Sequence, residues 1–239
     1  ALGDIDNDDD LDIITFFNYS EISQSNTPIA LINDGNGEFQ LSSDTFNSNV
    51  AGNYYTTQVF DINGDGYLDI LYSGSNFSGD MGILLILYGD GSGYFNIENS
   101  IILDETSLTN NSISASILGY GFTDFDLDGD IDIIISTTRD EPDGTFEDGT
   151  YYDNYYLLFF ENINNTSFIE RTNEVIEGSY DQTRSHFSNF YSIRTVDIDG
   201  DGDFDIVPDH YANWGSIPYV NNLFWEKVGD SYIRRINND

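Results

Sequence analysis

Asp61-Ile-Asn-Gly-Asp-Gly-Tyr-Leu-Asp69 runs directly into the apolar segment Ile70-Leu71-Tyr72. Acidic or amide side chains stand at positions 1, 3, 5 and 9 of this nine-residue stretch, with glycine at position 6. The same pattern opens the chain as Asp4-Ile-Asp-Asn-Asp-Asp-Asp-Leu-Asp12. It returns as Asp124-Phe-Asp-Leu-Asp-Gly-Asp-Ile-Asp132 and as Asp197-Ile-Asp-Gly-Asp-Gly-Asp-Phe-Asp205. The starts lie 57, 63 and 73 residues apart, and each copy leads into an apolar run: Ile13-Ile14, Ile133-Ile134-Ile135 and Ile206-Val207. Self-similarity at a period of this size marks a repeat architecture.

A second element follows in each unit: an apolar strand, a polar Gly/Asn turn, and an aromatic opening another strand. Examples are Ala30-Leu31-Ile32 through Gly35-Asn36-Gly37 to Phe39, and Leu85-Ile86-Leu87 through Gly91-Ser92-Gly93 to Phe95. Leu158 to Phe168 and Leu223 to Tyr232 complete the set. Such turns make β-hairpins. One unit therefore reads as short strand, acidic loop, strand, connection, strand, turn, strand. A four-stranded sheet cannot bury both its faces alone, and radial stacking of such sheets solves the problem. The expected fold is all-β: a β-propeller of four blades of about 60 residues, forming one domain over 1–239 with repeats near 1–50, 51–110, 111–185 and 186–239.

Composition agrees. The 239 residues include 28 Ile, 17 Tyr and 17 Phe but five Ala, a bias toward pleated, half-buried surfaces. Scarce Ala and Lys, with 22 Gly, disfavour long helices. The absence of Cys excludes a disulfide scaffold, a thiolate zinc site and a Cys nucleophile. No apolar stretch reaches the ~18 residues of a membrane span, so no membrane insertion is expected. A formal charge of -36, from 43 Asp+Glu against 7 Lys+Arg, repels nucleic acid and anionic membranes, whose binding requires basic side chains. Cations and neutral molecules such as sugars remain as ligands.

The acidic loop suits a hard cation. Alternate residues of a tight loop converge, and Ca²⁺ takes six to eight oxygens, backbone carbonyls included. Gly66, Gly129 and Gly202 supply the positive φ of the turn, and Asp9, which replaces glycine in the first loop, tolerates it better than most residues. Position 7 is Asp10, Tyr67, Asp130 or Asp203, as expected where only its carbonyl is used. Two like charges 4 Å apart repel by about 4 kcal/mol at an effective dielectric near 20. Four carboxylates therefore repel by on the order of 10–20 kcal/mol at the upper bound, which a divalent ion relieves. An EF-hand is excluded, because it requires glutamate at position 12 and flanking helices; position 12 here is Thr15, Tyr72, Ile135 or Pro208.

The loop before an apolar strand, with the later Asn-Asp-Gly-x-Gly-x-Phe type of turn, resembles the FG-GAP/VCBS repeat of integrin α-subunit propellers and of many secreted bacterial proteins. The resemblance implies up to four calcium ions. One would be held by Asp61, Asn63, Asp65, the Tyr67 carbonyl and Asp69. The equivalent sets are Asp4, Asp6, Asp8, the Asp10 carbonyl and Asp12; Asp124, Asp126, Asp128, the Asp130 carbonyl and Asp132; and Asp197, Asp199, Asp201, the Asp203 carbonyl and Asp205. The family usually builds seven blades, so four repeats close a small ring or form an arc of a larger wheel. The chain opens with Ala1-Leu2-Gly3-Asp4, within its first strand, which leads us to expect a piece of a longer protein.

Variable connections on a rigid scaffold are where binding residues concentrate. Here they run from Phe17 to Pro28, Ser73 to Gly82, Thr138 to Tyr155 and Asp209 to Pro218. They carry Tyr19, Phe77, Phe146, Tyr151, Tyr152, His210, Tyr211 and Trp214. Trp214, Tyr211, Tyr151 and Tyr152 are the candidate ligand-binding residues, through stacking on sugar; packing beneath their own loops is the alternative. Arg184 and His186 lie in a blade connection and could meet a ligand carboxylate or form a surface ion pair. Sequons stand at Asn18, Asn76, Asn110, Asn164 and Asn165. No nucleophile elbow, HExxH or phosphate-binding glycine loop is present, so no enzyme activity is expected. The expected role is a secreted or cell-surface adhesion module for a glycan or an extracellular protein. Calcium would be its structural ion, since extracellular modules bind with affinities of about 10⁻⁴–10⁻³ M. The alternatives are a self-assembling subunit of a fibre or sheath and an accessory domain of a polysaccharide-degrading enzyme.

Overall fold

The computed structural model describes residues 1–18, 26–46, 52–76, 79, 81–104, 114–140, 154–177, 190–210 and 223–236. They form two compact units, Ala1–Asp104 and Glu105–Asp239. Each unit holds two four-stranded antiparallel sheets with the strands in chain order.

In the first unit, β1 (Leu2–Gly3), β2 (Asp12–Asn18), β3 (Asn26–Asn33) and β4 (Phe39–Ser42) make one sheet. β5 (Asn53–Phe60), β6 (Asp69–Ser75), β7 (Gly82–Leu87) and β8 (Ile101–Asp104) make the next. In the second unit the third sheet is β9 (Ser114–Thr123), β10 (Asp132–Asp140), β11 (Asn154–Ile163) and β12 (Ser167–Glu170). The fourth is β13 (Phe190–Val196), β14 (Asp205–His210), β15 (Leu223–Val228) and β16 (Ser231–Ile236). All four acidic loops join the first strand of a sheet to its second. The described helices are one α-helical turn, Thr172–Val175, and one 3-10 turn, Ile97–Asn99. Neither is long and apolar enough to cross a membrane.

The repeat extends to backbone detail. Pairing of the first and second strands slips by one residue at Tyr55, Leu118 and Tyr191. Each slip falls beside the residue four places after the last Asp of the loop: Ser73, Ser136 and Asp209. A bulge adds local twist, so three sheets bend at the same height.

In the second sheet the middle strands are buried on both faces, with every residue of β6 and β7 buried, whereas in β2 and β15 buried residues alternate with half-buried ones. Within the first unit, Ile5 of the first loop packs in one cluster with Ile14, Tyr72, Leu85 and Phe95. Within the second, Phe125 of the third loop packs at a tilt against Tyr232 at 5.3 Å and Phe159 at 5.0 Å between ring centres, beside Trp225. Parallel bridges link Phe46 to Phe95 and Ile176 to Tyr232, so neighbouring sheets in both units join in the same way. The first strands also approach closely: Val59 lies where a Cβ on Gly3 would sit, and Thr195 crowds the same point at Gly121. Thr195 Oγ1 donates to the Phe122 carbonyl at 2.6 Å.

Candidate metal centres

Each loop folds by turning its own carboxylates onto its own amides. In the first two loops the first-position oxygens accept from the amides four and five residues on, and in the fourth from those three and five residues on. Asp4 takes Asp8 N–H at 3.1 Å and Asp9 N–H at 3.0 Å. Asp61 takes Asp65 and Gly66 N–H at 3.1 and 2.9 Å. Asp197 takes Gly202 N–H at 3.1 Å. The fifth-position carboxylates Asp8, Asp65, Asp128 and Asp201 accept from the seventh-position amides at 3.0, 2.9, 2.8 and 3.0 Å.

Two residues per loop, not one, adopt the left-handed backbone. At position 6 the φ values are 73° (Asp9), 91° (Gly66), 96° (Gly129) and 100° (Gly202). Asp9 therefore keeps the turn that glycine makes elsewhere. At position 4 they are 60° (Asn7), 69° (Gly64), 62° (Leu127) and 81° (Gly200). Leu127 is the residue least suited to that conformation, and its side chain is 76% exposed, so packing offers no compensation. A left-handed L-residue costs roughly 1–2 kcal/mol, and glycine loses part of that gain through unfolded-state entropy. Leu127→Gly is accordingly expected to raise stability by about 0.5–1 kcal/mol, read as a higher urea midpoint at unchanged slope. A lower midpoint would show that the leucine is held by contacts of its own.

The ninth-position carboxylates behave differently from the rest. Asp12, Asp69, Asp132 and Asp205 are all buried. Oδ2 of each accepts from the second-position amide of its loop: Ile5 at 3.1 Å, Ile62 at 2.9 Å, Phe125 at 2.8 Å and Ile198 at 2.9 Å. Oδ1 accepts from an amide at the far end of the third strand: Asn33 at 2.9 Å, Gly89 at 2.9 Å, Asn162 at 2.8 Å and Lys227 at 2.8 Å. One side chain thus ties the acidic loop to the hairpin turn of the same sheet, in all four sheets. Each oxygen keeps a second lone pair, so this tie and metal ligation are compatible.

The seventh-position side chains also reach that turn. Asp130 Oδ2 accepts from Asn165 N–H at 3.1 Å, and Asp203 pairs with Lys227 at 3.7 Å. Asp10 and Tyr67 lie against Gly35 and Gly91, both with positive φ, and fill the space a side chain there would need. Sequence reasoning assigned this position only a carbonyl. The signal for more was the pairing of each acidic loop with a Gly/Asn turn in the same unit.

Among the described residues three carboxylate triads converge as an ion would require: Asp4, Asp6 and Asp8; Asp124, Asp126 and Asp128; and Asp197, Asp199 and Asp205, with oxygens within 4.8 Å of one another in each. Two oxygens, Asp6 Oδ1 and Asp124 Oδ1, are shielded from solvent and make no hydrogen bond. Shielded carboxylate oxygens without donors fit a hard cation. In the second loop Asn63 breaks the triad; its amide donates to Asp65 Oδ2 at 3.1 Å. Asp201 lies outside the triad of the fourth loop, where Asp205 takes part instead. The aromatic candidates Tyr151, Tyr152, Tyr211 and Trp214 fall outside the described residues, as do Tyr19, Phe77, Phe146, Arg184, His186 and the sequon Asn110. Asn164 and Asn165 form the left-handed β11–β12 turn, at φ 52° and 57°.

Electrostatics follow burial. Burial pushes the Asp69 carboxyl up to about 6 and the Asp132 carboxyl up to about 7, against the opposing pull of their two amide donors. Asp6 is raised by desolvation and then by the charges of Asp12, Asp8 and Asp4. Between the ordinary carboxyl value of 3.8 and these raised values, the folded chain holds protons that the unfolded chain has released. Raising pH through that window therefore favours unfolding. In chelator, the thermal midpoint is expected to fall from about pH 4 to about pH 7. A midpoint that rises across the same range would contradict the sign.

Residues 4–72 match the model of the FG-GAP-like repeat. The matched stretch holds the first two acidic loops and runs into β6. The third and fourth sheets carry the same loop, the same buried Asp and the same strand order. No curated protein matches the chain.

Proposed function

We propose that the chain is a secreted or cell-surface interaction module whose four acidic loops bind calcium as a structural ion. Its partner is a glycan or an extracellular protein, and it works by binding, not by catalysis. The shielded, donor-free oxygens Asp6 Oδ1 and Asp124 Oδ1, set within carboxylate triads, support the metal reading. Calcium is favoured over magnesium because these loops offer many oxygens, backbone carbonyls among them, as its larger coordination number requires. Magnesium demands near-octahedral geometry and keeps its waters. The net charge of -36 favours an uncharged or cationic partner. Isothermal titration of the chelated protein with calcium and with magnesium tests the ion. Saturable calcium binding in the 10⁻⁴–10⁻³ M range typical of extracellular modules is expected, and equal affinity for magnesium would defeat the assignment. A glycan array probed with and without calcium tests the partner class.

A further inference from the structure

The turn position that clasps the ninth-position Asp is Asn33, Gly89, Asn162 or Lys227. At Asn33 and Asn162 the side-chain amide caps the eighth-position carbonyl of the loop, Leu11 at 3.3 Å and Ile131 at 3.1 Å. The fourth sheet alone puts a cation there, and it is the only lysine of the chain. Lys227 is 7% exposed. Its Nζ lies 3.7 Å from Asp203 Oδ2, at position 7 of the fourth loop, and 4.9 Å above the ring of Phe125, at position 2 of the third. A buried ammonium persists only where such groups compensate its lost hydration. The fourth loop is also the one whose converging carboxylates are the first, third and ninth, instead of the first three.

We propose that Lys227 is a tethered counter-ion of the fourth loop. It offsets part of the charge of that loop from within and weakens its hold on a divalent ion. The inference rests on the calcium reading above. Even at the dielectric of water, a unit charge several ångströms from a divalent ion weakens its binding by about tenfold, and the burial of Lys227 makes this the lower bound. The fourth sheet is thereby less dependent on metal than it would be with a neutral side chain at this position.

The test compares Lys227→Met, which keeps the stem over Phe125, with Lys227→Arg, which keeps the charge. Calcium is titrated into each folded protein while the Gly202 amide resonance is followed, since that amide donates to Asp197 within the fourth loop. Lys227→Met is expected to bind calcium at this loop at least about tenfold more tightly and to melt lower than wild type in chelator. Lys227→Arg should match wild type in both respects. Unchanged or weaker binding in Lys227→Met overturns the proposal, as does a Lys227→Met protein that stays unfolded in saturating calcium. Wild type that shows no calcium response at any loop removes the calcium reading itself, an outcome distinct from binding that ignores residue 227.

Discussion

Asp132→Ala is expected to destabilise the second unit by about 3 kcal/mol whether or not calcium is present. The substitution strips the acceptor from two amides, Phe125 and Asn162. Each buried donor left without a partner costs roughly 1–3 kcal/mol. Relief of a carboxyl that burial already disfavours returns part of this. Asp132→Asn should cost about half as much, because its carbonyl oxygen still serves one amide while its NH₂ faces the other. Asp126→Ala is the contrast. Asp126 is exposed and accepts one bond, from Asp128 N–H at 3.3 Å, so its loss should matter in calcium and hardly at all in chelator. Denaturant unfolding of the three variants with and without calcium decides the matter. Equal sensitivity of Asp132→Ala and Asp126→Ala to calcium would mean that the ninth position is a ligand and little else.

Millimolar calcium is expected to raise the thermal midpoint by about 10–20 °C, and magnesium at the same concentration by a few degrees at most. At ten times a dissociation constant, one site adds about 1.4 kcal/mol by mass action. Each unit holds two loops, hence about 3 kcal/mol, and units of this size gain roughly 3–6 °C per kcal/mol. The source of the effect lies in the loops themselves. Asp6 and Asp126 are raised by desolvation and by neighbouring carboxylates, a penalty that a bound ion removes. Scanning calorimetry in calcium, magnesium and chelator reads the shift directly. A midpoint indifferent to calcium would leave the four acidic loops as self-closing turns.

The architecture was legible because its signal is periodic. Four copies of one acidic loop, each before an apolar run, placed β2, β6, β10 and β14, and the Gly/Asn turns placed the hairpins that follow. The convergence of carboxylates in three of the loops was legible for the same reason, since alternate residues in a tight loop point inward. The clasp was not. Asp12, Asp69, Asp132 and Asp205 read as closing ligands because their main-chain partners leave no trace in side-chain identity: an amide N–H looks alike at Asn33, Gly89, Asn162 and Lys227. The left-handed fourth position was hidden by Leu127, which departs from the Asn/Gly preference of its three equivalents. The bulges at Tyr55, Leu118 and Tyr191 share no residue type either, because they answer to sheet geometry and not to local chemistry.

The clasp itself reads only main chain, so the constraints on the hairpin it grips come from elsewhere: Gly35, Gly89 and Gly91 have no room for a side chain, and Asn33 and Asn162 cap the loop with their amides. Exposed turn positions outside these can be exchanged for recognition without loosening the sheet, provided the carboxylate stays. A fold held in this way can diversify its rim one hairpin at a time and keep the same frame.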